Sequence, residues 1–178
     1  MAGFKIKKFS YDFENMRKRV HEHIARDIEW LPATPRTPGA VWSDNSKTLD
    51  PLIKTQLSDS IGCTLYDIYW MCDYRKCLAL EIHKDYPGAE YYDIHAMFTF
   101  IMMLEGRFEV SLWEDDKTTL VDKVIIHPGE ILVLNSSQYY HTGEALDGIK
   151  LSLHGYPQIP VIDGPKVPSA RYEVEAFI

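Results

Sequence analysis

The apolar positions of this chain change from a helical spacing near its start to a strand spacing beyond Gly39. From 12 to 28 they recur at steps of three and four residues, at Phe13, Met16, Val20, Ile24 and Ile28. This spacing places them on one face and predicts an amphipathic helix. Beyond Gly39, short runs rich in β-branched and aromatic residues alternate with turn signals, which is typical of strands. We therefore predict an N-terminal helix followed by a mainly β domain.

Seven segments have the length and composition of strands: residues 64–70, 77–83, 95–104, 107–113, 121–126, 130–134 and 149–154. In the fourth, Phe108, Val110 and Leu112 alternate with polar residues, which predicts one buried face. Residues 97–104 are almost wholly apolar, which predicts a strand in the middle of the core. Short strands separated by regular turns favour a sandwich or a small barrel.

The spacing of prolines marks a boundary between the helix and the β domain. Pro32, Pro35 and Pro38 recur at every third position and exclude both a helix and a central strand there. We therefore divide the chain into a helix and proline-rich arm (1–39) that packs on the barrel, a β-barrel (40–160) and a tail (161–178).

Composition excludes several classes of partner. The chain has 178 residues, of which 46% are hydrophobic and 25% charged, as expected of one folded domain. Its formal net charge of -7 opposes binding to nucleic acid or anionic membranes, which select clustered Lys and Arg. The first residues lack the apolar stretch of a signal peptide. We expect a cytoplasmic protein whose partner is a small-molecule substrate.

Three residues form the candidate metal site. Asp93 and His95 lie two apart at the entry to the apolar strand, so their side chains leave the same face. His141 follows a later strand and the loop 135–140. If an antiparallel fold brings these segments together, two imidazoles and one carboxylate meet, and this set suits ferrous iron. The prediction is one divalent metal ion, with Fe(II) favoured and Mn(II) or Zn(II) as alternatives.

Other polar residues offer further roles. Glu81 and His83 are a rival ligand pair, because they too lie two apart on a predicted strand. His154 is a predicted catalytic residue, acting as a proton shuttle or as the partner of a ligand if its face lines the site; a solvent-facing edge fits the pattern equally well. Tyr140, beside His141, is the second predicted catalytic residue, with simple packing as the alternative.

The order of these motifs resembles that of cupins. The first cupin motif is similar to Pro87-Gly88-Ala89, Asp93-x-His95 and the apolar strand ending at Gly106. The second is similar to His127-Pro-Gly-Glu130, the strand 131–134 and His141-Thr142. The closing block 149–156 is similar to the closing strand of single-domain cupins related to dihydroxyacetophenone dioxygenase, and the segment 30–39 resembles that group and the cupin halves of zinc-dependent anti-sigma factors.

This resemblance implies a fold and a reaction class. The fold is a cupin-type antiparallel β-sandwich or conical barrel, the double-stranded β-helix, and cupin-like barrels often pair through sheets and arms, which implies a homodimer. The implied activity is an iron dioxygenase reaction on a small oxygenated organic molecule. Asp93 replaces the usual first histidine, and Thr99 replaces the usual glutamate. A metal-dependent lyase or isomerase, or a non-catalytic ligand- or metal-sensing module, remains an alternative.

Overall fold

A computed structural model describes residues 4–27, 30–31, 40–43, 50–62, 65–74, 82–83, 99–134, 139–147 and 150–157. Its helices are α1 (Phe13–Asp27) and α2 (Pro51–Ile61). Its strands are β1 (Phe4–Lys8), β2 (Trp30–Leu31), β3 (Ala40–Ser43), β4 (Leu65–Tyr74), β5 (Thr99–Glu105), β6 (Phe108–Trp113), β7 (Leu120–Ile126), β8 (Glu130–Leu134), β9 (Tyr140–Ala145) and β10 (Lys150–Pro157). Residues 32–39 of the predicted arm and the predicted tail 161–178 lie outside the described residues.

Helix α1 confirms the helix predicted at 12–28. The Asp12 carboxylate accepts a hydrogen bond from the Asn15 backbone amide at 3.1 Å, which satisfies one of the amide groups that a helix start leaves without an internal partner. The apolar face of α1, including Met16 and Val20, is buried against the large sheet described below. Within the described residues, neither helix is long and apolar enough to cross a membrane.

Helix α2 is absent from the sequence prediction, although its signals are present. Asp50 precedes Pro51 and accepts a hydrogen bond from the Leu52 amide at 2.9 Å, which is the usual arrangement at a helix start. Gly62 ends the helix with a φ of 88°, a conformation that favours glycine. The buried residues Ile53, Leu57 and Ile61 recur every fourth position, so α2 adds a second apolar face beside α1.

The strands form two antiparallel sheets. The large sheet has the order β1-β8-β5-β10-β4-β3-β2, and the small sheet has the order β7-β6-β9. Strand β5 lies between β8 and β10, and residues 99–104 are all buried, which confirms the predicted central strand. Strand β8 has the predicted bounds, whereas β1, β2, β3 and β9 were not predicted.

Two hydrophobic clusters hold these layers together. On one face of the large sheet, alternate residues of β5 and β8 pack against α1 and α2, among them Phe100, Met102 and Ile131. The other face, which we call the inner face, packs against the small sheet: Ile101, Met103, Leu132 and Leu134 meet Phe108, Val110, Leu112, Ile126 and Ala145. The molecule is therefore a β-sandwich with helices on the outside of its large sheet.

Short connections stack each strand of the small sheet over a strand of the large one. The chain passes from β5 to β6 through residues 106–107, from β7 to β8 through 127–129, and from β9 to β10 through 146–149. Arg107 and Asp147 join two of these connections: Arg107 Nη2 lies 2.7 Å from Asp147 Oδ1, and the Arg107 backbone amide donates to Asp147 Oδ2 at 2.9 Å. We call this the clamped end of the sandwich.

Candidate functional site

Two histidines from distant parts of the sequence meet at the edge of the small sheet. The His83 amide donates to the His141 carbonyl at 3.1 Å, and the His141 amide donates to the His83 carbonyl at 2.8 Å. Antiparallel residues that exchange both bonds carry their side chains on the same face. Accordingly, the two imidazole centroids lie 4.3 Å apart with their planes inclined at 53°.

The alternation of β9 points this histidine pair into the sandwich. His141, Gly143 and Ala145 are buried, whereas the residues between them are more exposed. His141 lies opposite Leu112, which belongs to the cluster between the sheets. The imidazole of His141 is therefore on the inner face of the small sheet, where its exposed fraction is only 7%.

A second buried polar pair lies on the inner face of the large sheet. Ser152 Oγ and His154 Nε2 are 2.8 Å apart, and both residues are buried. Ser152 lies opposite Met103, and His154 lies opposite Ile101, both in the cluster between the sheets. The structure thus decides one alternative left open by the sequence: His154 faces the interior, not a solvent-exposed edge.

The strand registers bring the two polar pairs to the same level. His141 and His154 are equally far along the chain from the connection 146–149, and their neighbours Leu112 and Ile101 are equally far from the connection 106–107. The row containing Leu112, His141 and His83 therefore lies as many residues from the connections as the row containing Ile101 and His154, and packed sheets are separated by roughly 10 Å. We call this the histidine end of the sandwich.

The space beside His141 toward the clamped end is occupied by an aromatic ring. A Cβ atom placed on Gly143 would lie 2.0 Å from Cζ of Phe108, far inside any real contact. Only glycine at this position allows the ring to rest on the β9 backbone. Phe108 itself is 2% exposed, and burying such a side chain contributes about 1.5 to 3 kcal/mol.

Tyr140 lies on the opposite side of β9 from His141. It is opposite Trp113 in the register, and Lys117 Nζ lies 4.6 Å from the centroid of its ring. Trp113 Nε1 donates to Thr142 Oγ1 at 3.3 Å on the same outer face. The predicted catalytic role of Tyr140 stays a prediction, and its contact with Lys117 lies outside the sandwich.

The turn that carries Lys117 is fixed by the carboxylate of Asp116. This carboxylate accepts hydrogen bonds from the hydroxyl and amide of Thr119 and from the amide of Thr118. These bonds favour the ionised form and hold the pKa of Asp116 well below its usual value. Lys117 adopts a left-handed φ of 58° in this turn, and its amine reaches back to Tyr140.

Three of the predicted ligand residues lie outside the described part of the chain: Asp93, His95 and Glu81. Thr99 starts β5 and is buried on the inner face, opposite Leu134. Among the described residues alone, no group of three or more His, Cys, Asp or Glu side chains is arranged to hold a metal ion. The predicted ligand set of Asp93, His95 and His141 therefore stays a prediction, with His141 placed.

His83 was predicted only as a partner of Glu81, and its contact with His141 was not predicted. No local signal reveals that pairing, because strand register depends on packing between segments distant in the chain. Ser152 was not predicted as a hydrogen-bond partner of His154. Its spacing two residues before His154 is the signal that could have suggested their hydrogen bond.

Known proteins match this chain in structure and not in sequence. No family model and no curated protein sequence matches it. A prolyl-4-hydroxylase from Pseudomonas putida superimposes with a TM-score of 0.57 at 16% identity, covering 89% of this chain and 93% of that one. The protein named OsALKBH1 gives 0.66 at 14% identity, covering 89% and 99%. The fold is the cupin-type double-stranded β-helix.

A third structure agrees with this assignment. An oxidoreductase of the 2OG-Fe(II) oxygenase family from Burkholderia pseudomallei gives a TM-score of 0.58 at 12% identity, covering 86% of this chain and 84% of that one. The predicted fold class is thus confirmed. The narrower resemblance to the dihydroxyacetophenone dioxygenase and anti-sigma groups stays a prediction.

Proposed function

We propose that the chain is a metal-dependent enzyme of the oxygenase type, acting on a small oxygenated organic molecule at the histidine end. The observation that carries the proposal is the pair of imidazoles of His83 and His141, in ring contact at the edge of the sandwich. Histidine is the commonest metal ligand in proteins. A buried imidazole on the inner face of a cupin-type sandwich supports a ligand role better than a packing role.

The first ligand set is Asp93, His95 and His141. Asp93 and His95 both precede Thr99 by an even number of residues, and Thr99 lies on the inner face of β5. Two imidazoles and one carboxylate are the donors that non-haem iron enzymes use, and they leave positions for ligands. No carboxylate is among the buried polar residues that the structure describes, so the donor chemistry fits only if Asp93 joins the imidazoles.

A second ligand set replaces His95 by His83. The 4.3 Å between the ring centroids of His83 and His141 supports it, because a small rotation of both rings would direct two nitrogens toward one ion. Both sets share His141 and Asp93. The two sets differ in the second imidazole, which is His95 in the first set and His83 in the second. Replacing each of these histidines alone therefore distinguishes the two sets.

The chain's own residues supply the rest of the chemistry. The metal, when bound, provides a Lewis acid and, if it is iron, a means to activate dioxygen. We assign to His154 the transfer of a proton, because its imidazole is buried on the inner face of the large sheet and Ser152 Oγ lies 2.8 Å from its Nε2. Two structural neighbours carry the names hydroxylase and 2OG-Fe(II) oxygenase, which supports an oxygenase reaction over a lyase or isomerase.

Metal content measured by mass spectrometry tests the ligand sets. After reconstitution with Fe(II) or Mn(II) without oxygen, we expect about one ion per wild-type chain and a loss of bound metal in His141→Ala and Asp93→Asn. Loss in His95→Gln but not in His83→Gln supports the first set, and the reverse supports the second. His127→Gln, at the exposed clamped end, is the matched control and should keep its metal. Metal-free wild-type protein would overturn the proposal.

Metal binding should also raise thermal stability. A ligand that binds only the folded state at about 100 times its Kd adds about 2.7 kcal/mol, so Fe(II) or Mn(II) should raise Tm in wild-type protein and not in His141→Ala. Oxygen consumption with hydroxyketones, β-diketones and catechols, each with and without 2OG, then tests turnover. Saturable binding of these compounds without oxygen consumption would favour the non-catalytic binding module.

A further inference from the structure

The residue that follows His141 on the inner face of β9 has no side chain. Gly143 leaves its place to the Phe108 ring, whose Cζ, Cε1 and Cε2 atoms would lie 2.0, 2.6 and 2.9 Å from a Cβ there. Successive inward side chains of a strand are neighbours. The edge of the Phe108 ring therefore occupies the inward position next to that of His141, on the side of the clamped end.

The ring reaches this place by leaning toward the histidine end. Phe108 lies opposite Ala145 in the register, yet its far edge contacts Gly143, one inward position closer to His141. Ala145 has only a methyl group and cannot block this lean. Phe108 is buried in the cluster between the sheets, so the ring fills the interior at this level.

We infer that Phe108, admitted by Gly143, forms the floor of the site at His141 and limits the size of the molecule that can bind there. This inference rests on the proposed function, because it assigns the depth of the same site. The ring edge and the neighbouring Leu112 are apolar, so the part of the substrate that enters deepest is small and apolar. Phe108 is on this view a specificity-determining residue.

Benzene binding tests the floor without metal or turnover. Phe108→Ala should bind benzene at least tenfold more tightly than the wild type, because the ring it lacks leaves a space of matching size. That binding should shift the NMR resonances of the His141 ring. The matched control is Phe100→Ala, which removes an equally buried ring from the helix side of the large sheet; any benzene bound there should leave His141 unshifted.

The outcomes separate this inference from the proposed metal centre. A folded Phe108→Ala that binds no benzene, or binds it without shifting His141, would overturn the floor even if metal binds as proposed. A His141 shift in a protein that binds no metal would keep the floor and remove the centre. If Phe108→Ala does not fold, Phe108→Leu leaves a smaller space, and xenon replaces benzene as the probe. Xenon binding that shifts the His141 resonances supports the floor, and no binding, or binding without that shift, overturns it.

Discussion

The two ends of the sandwich are built from different interactions. At the clamped end, short connections and the Arg107–Asp147 pair tie the sheets together on an exposed surface. At the histidine end, the interior instead holds buried polar side chains: His141, Ser152, His154 and Thr99. Buried polar groups need hydrogen-bond partners, and Ser152 is such a partner for His154, so the interior of the histidine end depends on directed polar contacts as well as on apolar packing. Such a site is expected where a protein carries out chemistry.

The largest expected effect lies at the boundary between these ends. Gly143→Ala places a methyl group inside the Phe108 ring, and we expect it to lower the free energy of unfolding by about 3 kcal/mol, the upper part of the overpacking range. Chemical denaturation measures this loss.

Phe108→Leu combined with Gly143→Ala is the control, because the shorter side chain can relieve the clash. The double variant should lose less stability than the two single losses added together. If the two losses in the free energy of unfolding simply add, the position of the Phe108 ring does not require glycine at 143. Phe108 and Gly143 would then not form the boundary between the two ends.

A smaller effect is expected from the polar pair at the histidine end. Ser152→Ala removes the hydroxyl that lies 2.8 Å from His154 Nε2. Loss of a buried hydrogen bond of this kind lowers the free energy of unfolding by about 1 to 2 kcal/mol. The same denaturation measurement applies. Ser111→Ala, also buried but with its side chain on the other face of the small sheet, is the matched control and should cost less. Equal losses would mean that the Ser152–His154 contact adds nothing specific to the histidine end.

The smallest effect concerns acid stability at the clamped end. Hydrogen bonds from Arg107 lower the pKa of Asp147, so the carboxylate stabilises the folded state at pH above its ordinary pKa of about 3.9. This contribution is lost as the pH falls through the lowered pKa of the folded state. Asp147→Asn should therefore reduce Tm slightly at neutral pH, by an amount that shrinks on acidification to about pH 2.

The control for this acid effect is Glu144→Gln, exposed on the outer face of β9. Its difference in Tm from the wild type should not follow the same curve. A constant difference for Asp147→Asn across the pH range would show that the ion pair does not strengthen the clamped end.

Local sequence patterns predicted those helices and strands in which the apolar residues lie on the buried side. Strand β8 has the predicted bounds, and α1 shows the expected apolar face, because in both the periodicity of the sequence matches the buried side. Strand β9 was missed since Gly143, Glu144 and Ala145 have low strand propensity, and its pairing with β6 outweighs that propensity. Helix α2 was missed for a different reason: its cap and spacing are clear, but they stand within a region that otherwise favours strands.

The candidate site was only partly predictable for a physical reason. His141 was found from its place in a motif, and His154 from its place on a polar face. Their common level, and the contact of His141 with His83, depend on how several strands register against one another. A shift of one residue in any of those registers would turn a side chain to the other face, and no single segment encodes that choice.

Strand β1 has a consequence for how the molecule is made. Its residue Lys8 pairs with Glu130 of β8, and Phe4 pairs with Leu134, so β1 emerges from the ribosome well before the strand with which it pairs. At about 5 to 20 residues per second, that interval lasts on the order of ten seconds. Contacts so distant in sequence slow folding. The three lysines of β1 give this strand a positive charge, which disfavours pairing with other chains before β8 is available.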